Sequence, residues 1–453
     1  MIGTMTLTQL SRLTDGTLHG VDAGFNTVST DTRTLAPGDL FVALTGPNFD
    51  GNAFVAAAQA RGAMGALVST AVQTPLPTVR VADSRIALGQ LAQDNRKRSQ
   101  AVVLGLTGSQ GKTTVKEMTA AILAHCGAVL ATRGNLNNDI GVPLTLLQLG
   151  AEHRFAVIEM GANAPGEIAY TTRLAAPDIA LINNVEPTHL EGFGSIEGVA
   201  DAKAELWQGL NEAGRAIVNL DNPYIPPRVN VQRRQQVIGI SAAGKPNADY
   251  AVERHEDLGL QGSRFSLRTP RGAFDVQLAL PGRHNVANAL AAAAMAMEAG
   301  ATPEQVTAAL AAMASVKGRL VVRKGRAGAV LLDDTYNASP ASFKAAIDVL
   351  KRQGGIRIVV AGDMGELGDE KEKAHQELGC YAREQGIEHF MGTGPLTQLA
   401  VQAFGGGGVH APDWQALVQA VLPRLAPQVT VLVKGSRSAG MERVVARLVQ
   451  EEN

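Results

Sequence analysis

The residues with the clearest chemical meaning form a glycine-rich turn, GLTGSQGKTT at residues 105–114, between an apolar run at 101–104 and a helical pattern at 115–124. Glycines let successive backbone N–H groups point at phosphate oxygens, and the helix N-terminus adds partial positive charge. Lys112 can then neutralise the β and γ phosphates of a nucleotide, and Thr113 can offer its hydroxyl to Mg²⁺. The residues predicted to contact nucleotide here are Gly108, Ser109, Gln110, Gly111, Lys112, Thr113 and Thr114.

The spacing of this turn departs from the usual phosphate-loop pattern, because Leu106 stands where that pattern has its first glycine. The turn therefore predicts phosphate binding but not a particular activity. The competing interpretation is a tight strand-to-helix turn with a solvated lysine, and the complete string makes it the weaker one.

Two further side chains follow apolar runs that read as strands. Glu159 comes directly after residues 156–158, and is a candidate Mg²⁺ ligand because that ion prefers hard oxygen donors. A capping or surface carboxylate is the alternative. His189 lies in the polar segment 183–195, after the apolar run 179–182, and could contact metal or phosphate or could be structural. Lys203 falls on a predicted helix, where chemistry alone favours an exposed lysine paired with a carboxylate.

Amide side chains cluster at two other places. Asn135, Asn137 and Asn138 lie in the segment 133–143, and suit a sugar, amide or pyrophosphate unless they only form turns. Asn285 opens a predicted helix within GRHNVAN at 282–288, where it could cap the helix or read a base edge.

Late in the chain, Lys317 and Arg319 lie at a domain junction, from which a closing motion could deliver positive charge to phosphate.

The elements that must position these groups predict a mixed α/β fold of three domains. Residues 1–98 read as a small α/β domain, with strands at 40–44 and 65–68 and a helix at 53–60. Residues 99–314 read as a central parallel-sheet domain of the phosphate-loop ATPase type, with strands at 155–158, 179–182 and 216–218 and an antiparallel excursion between about 228 and 281. Residues 315–453 read as a Rossmann-like domain, with strands at 330–332, 356–360 and 429–433.

Two polar or flexible stretches receive structural interpretations. The run DNRKRSQ at 94–100 is interpreted as a solvated helix end and linker, and GGGG at 405–408 as a flexible loop. Functional side chains are expected instead on the loops at the carboxyl ends of strands.

Composition limits the classes of partner. Lys and Arg number 41 against 42 Asp and Glu, so bulk charge favours neither nucleic acid nor an acidic membrane surface. The two cysteines indicate a reducing compartment, and with no signal-like N-terminus or membrane-length apolar run the expected location is the cytoplasm. The expected partner is a small molecule.

Several of these strings together resemble the Mur ligase family over nearly the whole chain: the TGSQGKTT turn, residues 135–143, Glu159, HLEGFGS at 189–195, GRHNVANA at 282–289, KGR at 317–319, DDTYNASP at 333–340 and KGSRS at 434–438. The resemblance implies ATP-dependent amide bond formation in peptidoglycan precursor synthesis, through an acyl phosphate. STDTR at 29–33, PGDLFVAL at 37–44 and above all GDMGELG at 362–368 resemble the members that add D-alanyl-D-alanine to UDP-N-acetylmuramoyl-tripeptide.

The resemblance also implies roles for single residues. Lys112, Glu159, His189 and Lys203 would be catalytic, with Thr113, Glu159, His189 and Lys203 holding two Mg²⁺ ions and Lys203 carbamylated. Asn285 would read adenine, Asp334 the ribose and Arg319 the phosphates, with Asn288 and Asn337 beside them. The residues implied to bind the UDP-sugar, peptide or dipeptide are Ser29, Thr30, Asp31, Arg33, Phe49, Asn135, Asn137, Asn138, Ser436 and Arg437. A monomer is expected.

Two alternatives stay open. One is a Mur ligase that adds a single amino acid, or the related folate polyglutamate ligase, which shares the chemistry but not the acceptor. The other is a phosphate-loop switch or nucleic-acid motor, which the near-neutral charge disfavours.

Overall fold

The computed structural model describes residues 1–450 of the 453-residue chain. Three main sheets organise it, which confirms the predicted α/β fold. The predicted domain limits at residues 98 and 314 lie between these sheets and stay predictions.

The first sheet has five strands in the order β2-β9-β8-β5-β4, parallel except where β2 pairs with β9. A short hairpin of β6 and β7 lies beside it. The elements of this part are β1 (Met5–Thr6), α1 (Leu7–Leu13), β2 (Thr17–His19), β3 (Gly24–Phe25), β4 (Val28–Ser29), β5 (Leu40–Val42), β6 (Thr45–Gly46), β7 (Phe49–Asp50), α2 (Val55–Ala60), β8 (Gly65–Val68), β9 (Thr78–Arg80) and α3 (Ser84–Arg98).

The central sheet has nine strands in the order β11-β12-β10-β13-β14-β15-β16-β17-β18. Its elements are β10 (Val102–Thr107), α4 (Lys112–Ala124), β11 (Val129–Ala131), α5 (Gly141–Leu146), β12 (Phe155–Glu159), α6 (Glu167–Ala175), β13 (Ile179–Ile182), α7 (Leu190–Phe193), α8 (Ile196–Ala204), β14 (Arg215–Asn219), β15 (Gln236–Ser241), β16 (Tyr250–Asp257), β17 (Ser263–Thr269), β18 (Gly272–Leu278), α9 (Arg283–Glu298) and α10 (Pro303–Ala311). The predicted antiparallel excursion was too long: β15 and β16 still pair in parallel, and only β16, β17 and β18 are antiparallel.

The third sheet has six strands in the order β19-β20-β24-β21-β22-β23, parallel except between β19 and β20. Its elements are β19 (Val321–Lys324), β20 (Val330–Asp334), α11 (Pro340–Leu350), β21 (Ile356–Ala361), α12 (Lys371–Glu384), β22 (His389–Thr393), α13 (Thr397–Phe404), β23 (Gly408–Ala411), α14 (Trp414–Val421), β24 (Val429–Lys434) and α15 (Glu442–Leu448). Gly408 begins β23, so the loop predicted at 405–408 was one residue too long.

Apolar side chains cover both faces of the central sheet, as its continuous apolar strands require. Along β10, Leu104 and Leu106 pack with α4 and the alanine-rich α9 on one face, while Val103 packs on the other with residues of α3, α5 and α6. The helix that ends the first domain thus supplies part of the core beneath the central sheet.

The interpretation of residues 94–100 as a solvated helix end was wrong for three residues, since Asn95, Arg96 and Ser99 are buried. Asn95 is buried and donates to the carbonyls of Leu146 and Leu149 at 2.8 and 3.1 Å. Arg96 is buried too, and its Nε donates to the Ala175 carbonyl at 2.9 Å. These polar groups are turned inward because α3 packs on the central domain, where their hydrogen bonds satisfy helix-end carbonyls.

None of the helices in the described part of the chain, residues 1–450, combines the length and the apolar character that crossing a bilayer requires.

Candidate active site

The phosphate loop connects the end of β10 to the start of α4. Gly111 adopts a left-handed φ of +74° directly before the helix, and a Cβ there would lie 2.4 Å from Oδ1 of Asn288 and 2.7 Å from Nδ2 of Asn183. Only glycine meets both conditions, because other residues are strained at this φ and would collide with the two amides. Lys112 curls back over the loop, and its Nζ donates to the Gly108 carbonyl at 2.7 Å.

This loop is held in shape by three residues that follow β13, namely Asn183, Asn184 and Glu186. The Gln110 N–H donates to Oδ1 of Asn184 at 2.8 Å, and Nδ2 of Asn183 donates to the Gln110 carbonyl at 2.9 Å. The Ser109 hydroxyl donates to the Glu186 carbonyl at 3.0 Å and accepts from the Glu186 N–H at 2.9 Å. Ser109 and Gln110 are therefore already engaged with neighbouring loop residues, and the N–H groups of the loop are held in a preset orientation.

Glu159 lies at the end of β12 and is 2 % exposed. Its Oε1 accepts from Nδ2 of Asn137 at 2.8 Å, whereas its Oε2 is buried without any hydrogen-bond partner among residues 1–450. An unpaired buried carboxylate oxygen is costly, so Oε2 is a candidate ligand for a cation or a candidate acceptor for a substrate donor. The surface-carboxylate alternative is thereby wrong.

Lys203 is only 3 % exposed, and its side-chain amine takes part in none of the hydrogen bonds or ion pairs among residues 1–450. Burial, together with the nearby charge of Lys112, lowers the pKa of Lys203 well below its ordinary value. The expectation of an exposed, paired lysine was wrong because α8 packs its Lys203 face inward. Its neighbour Glu205 instead accepts from the N–H groups of Gly166 and Ala169 at 2.7 and 3.0 Å.

Lys112, Glu159 and Lys203 line one cleft of about 300 Å³, together with Thr113, His189, the amides of 135–138 and residues of the third domain. Burial lowers the pKa of Lys112, and the charge of Glu159 opposes that effect. The sequence prediction that strand-end groups meet is confirmed in this arrangement.

The third domain closes the other side of the cleft. The Gln110 side-chain amide donates to the Ser339 hydroxyl at 2.8 Å, and Nδ1 of His189 lies 2.9 Å from Oε2 of Glu366. The hydrogen bond from His189 lowers the pKa of Glu366. Arg319 lies over the Tyr336 ring with its Cζ 4.2 Å from the centroid, and its Nε is buried and has no partner in residues 1–450.

A second cavity of about 250 Å³ continues from Gln110 and Gly111 toward α9 and contains Asn285, Asn288, Arg319 and Asp334. Asn285 is not the cap, because the helix begins at Arg283 after Gly282; its Nδ2 donates to the Pro281 carbonyl at 2.8 Å and its Oδ1 accepts from Asn288. Oδ2 of Asp334 lies 2.6 Å from Nζ of the buried Lys434. Asn337 lines the first cavity.

The sequence left two roles open for the asparagines of 135–138, ligand binding and turn formation. Their side chains do not all have the same role. Asn137 holds Glu159, and Asn135 is exposed beside it. Oδ1 of Asn138 accepts from the N–H of Gly141 at 2.8 Å, so this side chain does perform the turn role at the start of α5.

Other predicted binding residues lie outside this cleft. Ser29, Thr30, Asp31, Arg33 and Phe49 belong to the first domain, where Arg33 pairs with Asp31 at 2.7 Å and the half-exposed Phe49 stacks on Phe54 with centroids 5.4 Å apart. Ser436 is buried after β24, and Arg437 lies 3.6 Å from Glu442. Neither the first-domain residues nor the pair Ser436 and Arg437 lines the two cavities described above.

The donor set fits Mg²⁺ but not a protein-only metal cage. Among residues 1–450 there is no cluster of three or more His, Cys, Asp and Glu side chains with metal-binding geometry. Mg²⁺ commonly takes one or two carboxylates and completes its shell with phosphate oxygens and water, which is what a lone unpaired Glu159 oxygen beside a phosphate loop allows.

Sequence reasoning missed some lining residues, notably Glu366 and Lys434, although both stand in strings quoted for the resemblance. Asn163 and Glu167 also line the cleft. The usable signal was the strand-end rule: Asn163 follows β12 and Glu366 follows β21, as catalytic-edge residues do in parallel sheets.

The chain matches three consecutive family models: Mur ligase family, catalytic domain, at residues 25–121; Mur ligase middle domain at 106–296; and Mur ligase, glutamate ligase domain, at 318–437. It is 47% identical over 453 residues to the UDP-N-acetylmuramoyl-tripeptide--D-alanyl-D-alanine ligase of Escherichia coli (strain K12), covering 99% of this chain and 98% of that protein.

Two solved structures are similar along their whole lengths. MurF from Acinetobacter baumannii matches with a TM-score of 0.91 and 35% identity, over 98% of each chain. The MurF ligase from Thermotoga maritima in complex with ADP matches with a TM-score of 0.82 and 29% identity, over 93% of this chain and 96% of that one.

Proposed function

The chain belongs to the Mur ligase family, and we propose that it joins D-alanyl-D-alanine to UDP-N-acetylmuramoyl-tripeptide, converting ATP to ADP and phosphate. The product is UDP-N-acetylmuramoyl-pentapeptide, a precursor of peptidoglycan. The observation that carries this proposal is one cleft in which the phosphate loop, the unpaired Glu159 oxygen and the buried Lys203 meet, in a chain 47% identical over its length to a relative of that name. A ligase that adds the single amino acid 2,6-diaminopimelate also matches over 96% of this chain, but at only 20% identity, which shows a shared fold alone.

The reaction needs ATP because a carboxylate is a poor electrophile. The terminal carboxylate of the tripeptide attacks the γ-phosphorus, the bond to the β-phosphate oxygen breaks, and an acyl phosphate and ADP result. The amine of D-alanyl-D-alanine then attacks the acyl carbon, loses a proton, and displaces phosphate. Positioned cations act on the charge that develops in these steps.

The chain supplies those cations from two sides. The loop N–H groups and Lys112 hold the triphosphate from the central domain, while Arg319, with its unpaired Nε, faces it from the third domain. Because the two groups belong to different domains, both act on the phosphates only when the cleft is closed, and closure also excludes water that would hydrolyse the acyl phosphate.

Mg²⁺ fits beside this loop. Thr113 and the free Oε2 of Glu159 would hold one ion, and His189 and a modified Lys203 a second. When bound, Mg²⁺ offsets the repulsion between the attacking carboxylate and the phosphates.

We assign a carbamate to Lys203. Its burial without a partner favours the neutral amine, which is the form that adds CO₂ to give a carbamate and a proton. The modification converts this neutral amine into an anion, which the nearby charge of Lys112 stabilises. A buried lysine at this position is otherwise an unexplained cost.

The second cavity is assigned to the nucleoside. Asn285 and Asn288 offer buried amide groups for adenine, and Asp334 accepts from the ribose, next to Asn337. The UDP-sugar is assigned to Ser29, Thr30, Asp31, Arg33 and Phe49 on the first domain. The peptide and dipeptide ends are assigned to Asn135, Asn137, Asn138, Ser436 and Arg437.

We further propose that the protein works as a cytoplasmic monomer. The proposal rests on the two-cysteine composition, which fits a reducing compartment, and on the monomeric state expected from the family resemblance. Light scattering at working concentration measures the molecular mass directly.

The mass of the product tests the function. Purified protein is incubated with ATP, Mg²⁺, bicarbonate, UDP-N-acetylmuramoyl-tripeptide and D-alanyl-D-alanine, and we expect phosphate release together with the mass of the pentapeptide. One control reaction replaces the dipeptide by D-alanine. The other replaces the tripeptide precursor by a shorter UDP-linked precursor and supplies one free amino acid in place of the dipeptide. A product only in a control reaction would assign the protein to another member of the family.

A further inference from the structure

Glu366 and His189 meet across the cleft from different domains. Oε2 of Glu366 lies 2.9 Å from Nδ1 of His189, and both residues adopt left-handed backbone, with φ of +63° and +54°. Non-glycine residues are uncommon in this region and persist where the surroundings enforce it. The contact is therefore made by two backbone segments that are each held in an unfavourable conformation.

The loop that carries Glu366 is fixed from behind. Oδ1 of Asp363 accepts from the backbone N–H and the hydroxyl of Thr397, at 2.7 and 2.6 Å. The N–H of Met364 donates to Nε2 of His375, which is almost completely buried. These bonds anchor the loop to α12 and α13, so the Glu366 carboxylate is presented by the third domain as a preset group.

We propose that Glu366 is the positioning residue for His189, and that domain closure uses it to prepare the histidine for metal. A carboxylate that accepts from Nδ1–H selects one tautomer of the neutral ring and leaves the lone pair of Nε2 free. This inference rests on the proposed role of His189 in holding Mg²⁺. Its consequence is that the second metal position is complete only while the third domain is closed.

Removing a merely structural contact would not change the tautomer of His189, so the tautomer is the quantity to measure. Protein labelled with ¹⁵N in its histidines is studied by NMR with bound ADP, and the His189 signals are assigned by their loss in His189→Gln. We expect the Nδ1–H form in the unmodified protein. In Glu366→Ala we expect a shift toward the Nε2–H form that free imidazoles favour.

Three more variants distinguish the effect of losing the Glu366 carboxylate from the effect of backbone strain at this position. Glu366→Gly also loses the carboxylate but accepts a positive φ without strain, so we expect the same tautomer change as in Glu366→Ala. Glu366→Gln keeps an accepting oxygen and should keep the Nδ1–H form. Glu370→Ala is the matched control, because Glu370 is exposed four residues later and its ion pair, among residues 1–450, is with Lys373 at 3.3 Å.

Metal dependence gives the second measurement. Losing an outer partner of a metal-binding histidine costs about 10–100-fold in metal affinity, so the Mg²⁺ concentration for half-maximal ligation should rise by that factor in Glu366→Ala and Glu366→Gly. The KM for D-alanyl-D-alanine should stay unchanged.

An unchanged His189 tautomer in Glu366→Ala would overturn the proposal. A defect confined to the KM for D-alanyl-D-alanine would also overturn it, by making Glu366 a substrate contact. Failure of the proposed function is distinguishable, because it would appear as absence of the pentapeptide mass with unmodified protein, whereas the tautomer is read without either ligation substrate.

Discussion

Lys203→Met should have opposite effects on stability and on activity. The substitution keeps the length of the side chain but removes an amine that is 3 % exposed and unpaired within residues 1–450. Leaving a buried polar group without a partner costs about 1–3 kcal/mol, so the free energy of unfolding should rise by about that amount. For a domain of this size that corresponds to an increase in Tm of roughly 2–12 °C.

The stability gained by Lys203→Met should decrease as the pH rises. Burial lowers the pKa of Lys203 well below its ordinary value in the folded protein, so in the pH range between the two values the unfolded chain binds a proton that the folded protein lacks. The unmodified protein therefore gains stability as the pH rises through the window between the lowered folded pKa and the ordinary lysine value of about 10.4. The advantage of Lys203→Met should be larger at pH 7 than at pH 9.5.

The assay is thermal unfolding in buffer free of CO₂, followed at the transition that ADP shifts, since a protein with three domains need not unfold in one step. Lys373→Met is the matched control, because that lysine is 68% exposed and should change stability by less than about 0.5 kcal/mol. Ligation by Lys203→Met should fall by about 10²–10³-fold. A variant that melts below the unmodified protein, or a pH-independent difference, would refute the reasoning.

Four other outcomes are expected. Lys112→Ala should lower kcat/KM for ATP by about 10²–10³-fold by removing phosphate charge, and near-normal turnover would refute its role. Glu159→Gln should raise the Mg²⁺ concentration for half-maximal ligation by about tenfold or more, measured by metal titration, because it removes the charge from the unpaired oxygen. Asn285→Ala should raise the KM for ATP about tenfold with little change in kcat; an unchanged KM and unchanged preference for ATP over GTP would contradict adenine recognition. In ¹³C-bicarbonate, a carbamate carbon signal should appear in the unmodified protein and be absent from Lys203→Ala, whose activity short carboxylic acids should partly restore.

The sequence by itself determined the fold class and the location of the phosphate site. Apolar runs at 155–158 and 179–182 predicted β12 and β13 to within one residue, because strands of a covered parallel sheet are apolar on both faces. The strand-end rule then placed Glu159 and His189 at one edge, and the glycine-rich turn identified Lys112 from local spacing alone. These features depend on residues near one another in the chain.

Only the tertiary structure decided which polar groups are buried and left without partners. Lys203 reads as a surface lysine until α8 packs it into the cleft, and the orphan oxygen of Glu159 is visible only once every neighbour is placed. The contact between His189 and Glu366 joins residues far apart in sequence through the closing of two domains. Burial and pairing are properties of three-dimensional neighbours, so no local pattern of residue types could have revealed them.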